Sequence, residues 1–151
     1  MNPQFWKVSQ GSEYFRYSDV LRSIYERLVY VHKDTGPKGR SSKSQGEEFA
    51  DAPIGDYFYL THGNDGIYLL GQFSGPANLF SSKGEGWLDR PFRLIRTAVS
   101  REPYQGSAKW WAPNHNSTFI SVTEDDLGTF ETLILKPYFE LSLGDFGVPV
   151  R

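Results

Sequence analysis

The spacing of apolar and polar residues changes several times along the chain and predicts short strands alternating with helices. The segment FWKVS (Phe5 to Ser9) is apolar and β-favouring, which predicts a strand that ends at a Gln10-Gly11 turn. The next segment has a helical period, with Ser18 as a suitable N-cap. The apolar face of this first helix would consist of Leu21, Ile24, Tyr25 and Leu28.

A β-hairpin is the clearest local pattern in the middle of the chain. The runs YFYLTH from Tyr57 and IYLLGQFS from Ile67 flank a GNDG turn. Further strands are predicted for FRLIRTAVS (Phe92 to Ser100) and STFISV (Ser117 to Val122). A second helix is predicted after Thr123, with three acids in its first turn and a stop at Lys136-Pro137.

Residues 32–48, 81–91 and 101–116 have no periodicity, which predicts long loops. The loop SSKGEGWLDRP, Ser81 to Pro91, contains Trp87 among small and charged residues. Such a stretch is typical of a solvated turn, where a large apolar ring is out of place. Either the loop folds back to bury Trp87, or the ring is exposed for another group to stack on.

Five or more strands, two helices and long loops predict an α+β domain. Its core element would be a small curved β-sheet or open barrel of five to six strands flanked by helices. A chain of 151 residues suits one domain, which we place at residues 1–140. Residues 141–151 show no closing element and are predicted to be a tail or the start of a linker to a following domain.

Composition narrows the chemistry that the chain can perform. It has no cysteine, which excludes disulfides, thiolate zinc sites and cysteine nucleophiles. The histidines His32, His62 and His115 are far apart in sequence, so no metal site is expected. The N-terminus lacks a signal peptide and no stretch approaches the ~18 apolar residues of a membrane span. We therefore expect a soluble, cytoplasmic protein that does not bind membranes.

The net charge of −2 is unevenly distributed along the chain. Residues 1–46 carry eight Lys or Arg against four acids, and residues 83–109 carry six against three. Residues 47–82 hold five acids and no Lys or Arg, and residues 124–151 hold six acids against two basic residues. Two basic segments could follow a phosphate backbone, although such charges also serve simply to solvate a surface.

No segment assembles a recognisable catalytic motif. GEGWLD lacks the third glycine of a dinucleotide fingerprint, GPKGRSSKS lacks the Gly-Lys-Ser/Thr of a phosphate loop, and Ser74 in GQFSG is misplaced for a nucleophile elbow. A binding module without a cofactor is therefore favoured over an enzyme. The alternative is a small hydrolase or transferase that depends on a polar side chain such as His115 or Asp89.

The order of these features resembles the EVE and YTH branch of the PUA-like fold over about residues 4–104. The matching elements are the strand FWKVS, a helix, the short strand VYV, a basic loop, the strand YLLGQFSG, the GW loop and RPFRLIRT. Members of this superfamily bind a modified base of RNA or DNA in an aromatic cage. The later segments WWAPNHNSTFISV and EDDLGTFETLILKPYF are similar to the N-terminal specificity domains of McrBC-type restriction proteins.

This resemblance implies a DNA-binding specificity module that recognises a methylated base flipped out of double-stranded DNA. It also implies fusion to a GTP-dependent motor domain that works with a nuclease subunit. An RNA-binding PUA-like module is the alternative, because the same residues suit both nucleic acids.

The resemblance also assigns candidate site residues. Trp87 matches a cage tryptophan, and Tyr30 or His32 falls where the family usually has another tryptophan. Phe80 is the candidate third wall, and Ser9 and Gln10 match the segment that hydrogen-bonds the base edge. The opposing interpretation of Trp87 is a core residue that closes one end of a barrel.

Basic side chains near these segments are predicted to contact the nucleic-acid backbone, which positions a strand without reading its sequence. They are Lys33, Lys38, Arg40, Lys43, Arg90, Arg93, Arg96 and Arg101. Trp110 and Trp111 are predicted either to pack in the core or a loop, or to make accessory contacts with nucleic acid.

Overall fold

A computed structural model of the 151-residue chain describes residues 3–11, 15–37, 43–62, 66–100 and 118–148. These residues form one six-stranded sheet. The strands are β1 (Phe5–Ser9), β2 (Leu28–His32), β3 (Tyr57–Thr61), β4 (Ile67–Phe73), β5 (Trp87–Thr97) and β6 (Phe119–Val122). The helices are α1 (Tyr17–Glu26), α2 (Gln45–Asp51), α3 (Leu127–Phe130) and α4 (Lys136–Phe139). A π-helical stretch, Glu131–Leu135, joins α3 to α4, and 3₁₀ turns occupy Glu124–Asp126 and Leu143–Phe146.

The sheet has the order β2-β5-β4-β3-β1-β6. β1 runs parallel to β3, and every other neighbouring pair is antiparallel. β5 has 11 residues and pairs with two strands in succession, first with β2 through Trp87 to Pro91 and then with β4 through Phe92 to Thr97. Because one strand is shared in this way, the sheet curls into a half-barrel. The predicted fold class, an α+β curved sheet of five to six strands with flanking helices, is confirmed.

The two faces of the sheet pack into separate apolar clusters. Alternation along β3 sends Phe58 and Leu60 to one face and Tyr59 to the other, as the pleat of a strand requires. The first cluster lies inside the curl and includes buried residues next to α1 and α2. The second cluster packs the opposite face against the C-terminal helical segment, including Phe130 and Phe139.

The hairpin between β3 and β4 forms as predicted, but α1 differs from its prediction. Arg16, not Ser18, is the N-cap residue, and its backbone N–H donates to the carboxylate of Asp19 at 2.9 Å. The predicted apolar face is half right, because Ile24 and Leu28 pack against the first cluster, whereas Leu21 is 47% exposed and Tyr25 is 87% exposed. The helix turns Val20 and Ser23 inward instead, where the Ser23 hydroxyl is hydrogen-bonded to the buried Gln10 side chain. A buried polar contact therefore decides which face of α1 meets the sheet.

Helix α2 lies in a segment for which only a loop was predicted. Its N-cap is Ser44, whose hydroxyl accepts a hydrogen bond from the N–H of Glu47 at 3.1 Å. Gly46 packs directly on the chain after β2, and a Cβ atom added there would lie 2.3 Å from the carbonyl oxygen of Lys33. A glycine is thus required for α2 to approach β2.

The C-terminal segment belongs to the domain, which corrects the predicted boundary at residue 140. The helical segment continues past the predicted stop at Pro137 to Phe139. Beyond it, Leu143 and Val148 are buried, and the Phe146 ring lies 5.2 Å from that of Phe5. Residues 141–148 therefore cover one face of the sheet.

Candidate functional site

The loop before β5 is closed by its own backbone hydrogen bonds. Asn78 and Asp89 exchange two of them, at 2.7 and 3.2 Å. Closer to the turn, the N–H of Ser81 donates to the carbonyl of Trp87 at 3.3 Å, and the N–H of Trp87 donates to the carbonyl of Gly84 at 3.2 Å. Trp87 is consequently the first residue of β5, paired with His32 of β2, and is not part of a solvated turn.

Gly86 allows the Trp87 ring to approach β2. Its φ of 80° lies in the left-handed region, and an added Cβ would lie 2.6 Å from Nε2 of His32. The imidazole of His32 and the indole of Trp87 meet edge to face, with centroids 5.1 Å apart. A glycine is needed here for both its backbone conformation and its lack of a side chain.

Trp87 meets a second ring and a cation on its other side. The Phe15 ring lies 5.5 Å from the indole at 90°. The ammonium of Lys83 lies 4.0 Å from the centroid of Phe15 and 4.8 Å from that of Trp87, within the range of cation–π contacts. Trp87 is half-buried in this arrangement. Part of the ring therefore packs against the protein, as a core residue would, and part remains accessible.

An open pocket of about 290 Å³ lies beside these rings. It is lined by Phe15, Asp19, Arg22, Glu26, Tyr30, Ser82 and Lys83. Helix α1 supplies two carboxylates and one guanidinium, Phe15 and Tyr30 supply aromatic wall, and the loop before β5 supplies Ser82 and Lys83. Small-molecule sites are typically about 300–1,000 Å³, so this volume suits a ligand the size of one base.

The surroundings of the Tyr30 hydroxyl disfavour its ionisation. Burial raises the pKa of the Tyr30 hydroxyl, and the carboxylates of Glu26 and Asp89 raise it further. Arg22 acts in the opposite direction but is the smallest of these influences. Two neighbouring carboxylates thus disfavour an additional negative charge at this wall.

One of the predicted base-pocket residues lines the pocket, and two others lie next to it. Tyr30 lines the pocket, while His32 and Trp87 form the edge-to-face pair beside it. Phe80 is 90% exposed and does not line the pocket, whereas Phe15, which was not predicted, does.

The predicted contact of Gln10 with a base edge is wrong for this structure. Its side chain is fully buried, its Nε2 donates to the hydroxyl of Ser23 at 3.1 Å, and its Oε1 accepts from the N–H of Tyr30 at 3.2 Å. Gln10 therefore holds β1, α1 and β2 together and fixes the backbone behind the Tyr30 ring. Ser9 does not line the pocket either; its N–H donates to the carbonyl of Thr118 at 2.8 Å.

Arg90 is also misassigned by the prediction of backbone contacts. Its side chain is 1% exposed, and its guanidinium donates to the carbonyls of Gly75, Phe49 and Ala52. The guanidinium carbon lies 4.3 Å from the centroid of the Phe73 ring. Burial lowers the pKa of Arg90, and Asp56 partly opposes this. A guanidinium enclosed in this way does not reach a phosphate at the surface.

The other basic residues differ in their distance from the pocket. Lys33 is exposed, and its backbone N–H donates to the carbonyl of Gly86 at 2.8 Å, which places it beside the Trp87 loop. Lys43 pairs with Asp51. Lys38, Arg40, Arg101, Trp110 and Trp111, together with His115, lie outside the described residues.

Arg93 and Arg96 lie farther along β5. Arg93 donates to Oε1 of Gln72 at 2.6 Å, and Arg96 donates to the carbonyl of Phe139 at 2.9 Å. A strand advances about 3.3 Å per residue, so Arg93 lies roughly 20 Å from Trp87 along β5. Both arginines therefore lie well away from the Trp87 ring.

The ring contacts of two residues of the site were not predicted from the sequence. Phe15 is an isolated apolar residue just before α1, and nothing in the order of residues places it next to position 87. Lys83 precedes Trp87 by four residues in the same loop, so its closeness could have been anticipated, although its position on the rings could not.

Within the described ranges, no three His, Asp or Glu side chains are grouped so that they could hold a metal ion.

The buried His62 is bonded to the chain at Phe15, because its Nε2 lies 2.7 Å from the carbonyl oxygen of that residue. No helix in the part of the chain that the structure describes is long and apolar enough to cross a bilayer.

Comparison with known proteins supports the fold. The sequence matches no protein family and no curated protein. Among solved structures, it is similar to the YTH domain of Mmi1 in complex with RNA, with a TM-score of 0.54 and 12% identity, covering 88% of this chain and 78% of that chain. It is also similar to protein Atu2648 from Agrobacterium tumefaciens, with a TM-score of 0.52 and 12% identity over 86% of this chain and 90% of that one. At this identity the likeness shows the fold, which is YTH-like.

Proposed function

We propose that this chain is a nucleic-acid-binding domain that holds one modified base in the pocket beside Trp87, and that it is not itself an enzyme. The observation that carries the proposal is a pocket of about 290 Å³ lined by Phe15 and Tyr30, with the Trp87 ring packed against Phe15. The YTH-like fold agrees with it, because the similar Mmi1 domain was solved with RNA.

The energies of base extrusion and stacking are compatible with this site. Removing a base from a duplex costs a few kcal/mol, and less from a single strand. Stacking on an aromatic side chain returns about 1–3 kcal/mol per base, so two or three rings offset the cost. A buried methyl group adds only about 0.8 kcal/mol, which corresponds to roughly a fourfold preference.

Stronger discrimination therefore requires polar groups. With Gln10 buried and Ser9 outside the pocket lining, the groups in position are the carboxylates of Asp19 and Glu26 and the hydroxyl of Tyr30. A base that offers hydrogen-bond donors to these groups would be preferred over one that does not. Lys33 lies beside the loop before β5, where its backbone N–H donates to the carbonyl of Gly86, and its side chain would contact the phosphate backbone of the bound strand.

The nucleic acid could be DNA or RNA, and one observation favours each. Residues 110–139 resemble specificity domains of McrBC-type restriction proteins, which supports methylated double-stranded DNA and fusion to a GTP-dependent motor that works with a nuclease subunit. The solved complex of the similar Mmi1 YTH domain contains RNA, which supports the alternative of an RNA-binding module.

Trp87→Ala is the test of this proposal, with Phe80→Ala as the matched control. Both changes remove a large ring from the segment before or at the start of β5, but only Trp87 contacts Phe15 and His32. Binding of single methylated bases in duplex DNA, single-stranded DNA and single-stranded RNA would be measured by fluorescence anisotropy. Trp87→Ala should weaken binding by about 10- to 100-fold through lost stacking, while Phe80→Ala stays within about twofold.

Circular dichroism of both variants establishes that the sheet is retained. Equal affinity for modified and unmodified strands, or unchanged binding after Trp87→Ala, would contradict the proposal. Tighter binding to single-stranded RNA than to any DNA would favour the RNA alternative.

A further inference from the structure

The Lys83 ammonium is held where a positive charge on a ligand would lie. It faces two ring systems, with centroid distances of 4.0 Å to Phe15 and 4.8 Å to Trp87. The backbone N–H of Lys83 donates to the hydroxyl of Ser81 at 3.2 Å, so the loop directs the side chain toward these rings. The faces of aromatic rings carry negative partial charge and attract a cation.

Two carboxylates lie along the same pocket, on the side formed by α1. Asp19 and Glu26 line the pocket together with Arg22. If Lys83 is counted as an occupant of the aromatic site rather than as part of its wall, the remaining charged side chains sum to −1. The pocket thus offers a positively charged ligand both ring faces and carboxylates.

We propose that the pocket prefers a base that carries a positive charge, such as 1-methyladenine or 3-methylcytosine, and that such a base displaces the Lys83 ammonium. This inference rests on the proposed function and specifies its ligand class. The ring nitrogens of these bases become cationic when methylated, whereas methylation of the exocyclic amine leaves a base neutral. A neutral base would gain the stacking contacts but would leave Asp19 and Glu26 without a cationic partner.

A flat heterocycle fits these observations better than an alkylammonium side chain. An ammonium group needs only the ring contacts that Lys83 already makes. The pocket of about 290 Å³ next to Lys83, lined by α1 and Tyr30, leaves room for a larger ligand. A base would use this volume for its ring and present its charge to Phe15 and Trp87. A trimethyllysine peptide serves as the competing ligand in the test.

The sharpest experiment compares two methyladenines that differ in the position of the methyl group and, at neutral pH, in charge. RNA and DNA strands carrying one 1-methyladenine would be compared with otherwise identical strands carrying one N6-methyladenine, at neutral pH with the full chain. We expect the cationic isomer to bind about tenfold more tightly, because the carboxylates of Asp19 and Glu26 attract it in addition to the ring contacts that it takes over from Lys83. The pair 3-methylcytosine and N4-methylcytosine repeats the comparison on a pyrimidine.

Variants connect the preference to the residues of the pocket. Glu26→Gln and Asp19→Asn keep the size of each side chain and should reduce the preference for the cationic isomer, whereas Glu48→Gln, near the small apolar pocket at Trp6, should leave it unchanged. Lys83→Met keeps an unbranched apolar stem and should strengthen binding of 1-methyladenine severalfold, because the competing ammonium is removed.

The possible results separate this inference from the proposed function. If N6-methyladenine binds as tightly as its cationic isomer and Trp87→Ala abolishes that binding, the proposed function stands and the preference for a cation is refuted. Weaker binding of 1-methyladenine after Lys83→Met, or tighter binding of the trimethyllysine peptide than of either base, also refutes it. If neither isomer binds better than an unmodified strand, both proposals fail.

Discussion

Two cations lie against aromatic rings within eight residues of each other, and their surroundings differ sharply. The Arg90 guanidinium lies over Phe73 at 4.3 Å, is 1% exposed, and donates to three backbone carbonyls. The Lys83 ammonium lies over Phe15 and Trp87 at the edge of an open pocket.

The difference shows which contact is part of the fold and which could be exchanged for a ligand. Phe49 and Ala52 lie at the end of α2, where helix carbonyls lack partners within the helix, and Arg90 supplies the missing donors. The rigid, planar guanidinium suits this permanent role, whereas the flexible lysine stem suits a contact that can be released. The same pairing of cation and ring therefore serves stability at one position and, in our proposal, recognition at the other.

The largest expected effect on stability follows from removing the buried guanidinium of Arg90. Arg90→Met leaves the carbonyls of Gly75, Phe49 and Ala52 without their donors in a buried site. We expect the free energy of unfolding to fall by about 3 kcal/mol or more, since each buried unsatisfied group costs about 1–3 kcal/mol. Urea denaturation followed by circular dichroism measures the loss.

Arg93→Met is the control for this change. Arg93 lies on the same strand but is exposed, and its hydrogen bond is to the Gln72 side chain. Its replacement should cost about 0.5 kcal/mol or less. Equal stability of the two variants would show that Arg90 is not the link between α2 and β5 that we describe.

A smaller effect is expected when a side chain at position 86 prevents the Trp87 ring from packing against β2. Gly86→Ala forces a side chain into a residue with φ of 80° and toward Nε2 of His32. We expect a loss of about 1–3 kcal/mol in stability together with weaker base binding, because the indole must shift. Thermal unfolding and the anisotropy assay measure the two effects.

Gly128→Ala is the matched glycine change. Gly128 is in α3, and an added Cβ meets no atom within 4 Å. Alanine should be neutral or slightly stabilising there. Base binding by Gly86→Ala at the level of the unchanged chain would show that the position of Trp87 against His32 is not needed.

Local patterns were sufficient to predict several elements but not the site. The hairpin of β3 and β4 followed from two β-rich runs around one turn, a short-range signal. The start of β5 at Trp87 depends on pairing with β2, and that pairing crosses about 60 residues of sequence. The contact between Phe15 and Trp87 likewise depends on the curl of the sheet, which no local pattern encodes.

One misassignment had a usable signal in the sequence. Leu88, Arg90 and Phe92 alternate along β5 and are all buried, so their side chains share one face of the strand. An arginine between two apolar residues at period two is more consistent with a buried position than with a phosphate contact. Arg93, three residues from Arg90, lies on the opposite face and is exposed. The role of Gln10 had no comparable signal, because its partners Ser23 and Tyr30 come from two other elements.

The smallest expected effect is a pH dependence of stability that is linked to Tyr30, in the wall of the pocket, and not to the buried Arg90. Burial is the largest influence on the pKa of both Tyr30 and Arg90, and it raises the first and lowers the second. Neighbouring carboxylates raise both pKa values, Glu26 and Asp89 at Tyr30 and Asp56 at Arg90. The pKa of Tyr30 is raised above its usual value of 10.0, so the folded protein retains this proton at a pH where the unfolded chain releases it. The stability linked to Tyr30 is therefore complete below its unfolded pKa and is lost as pH rises through the folded pKa.

Tyr30→Phe removes this ionisation and should make the alkaline decline in stability shallower, as measured by urea denaturation at a series of pH values above about 9. Tyr25→Phe, on the exposed side of α1, should leave the decline unchanged. Glu26→Gln should bring the ultraviolet titration of Tyr30 to lower pH, because one of the charges that raise its pKa is gone. A titration of Tyr30 that is unaffected by Glu26→Gln would show that the Glu26 carboxylate has no effect on this wall of the pocket, contrary to the preference for cations that we propose.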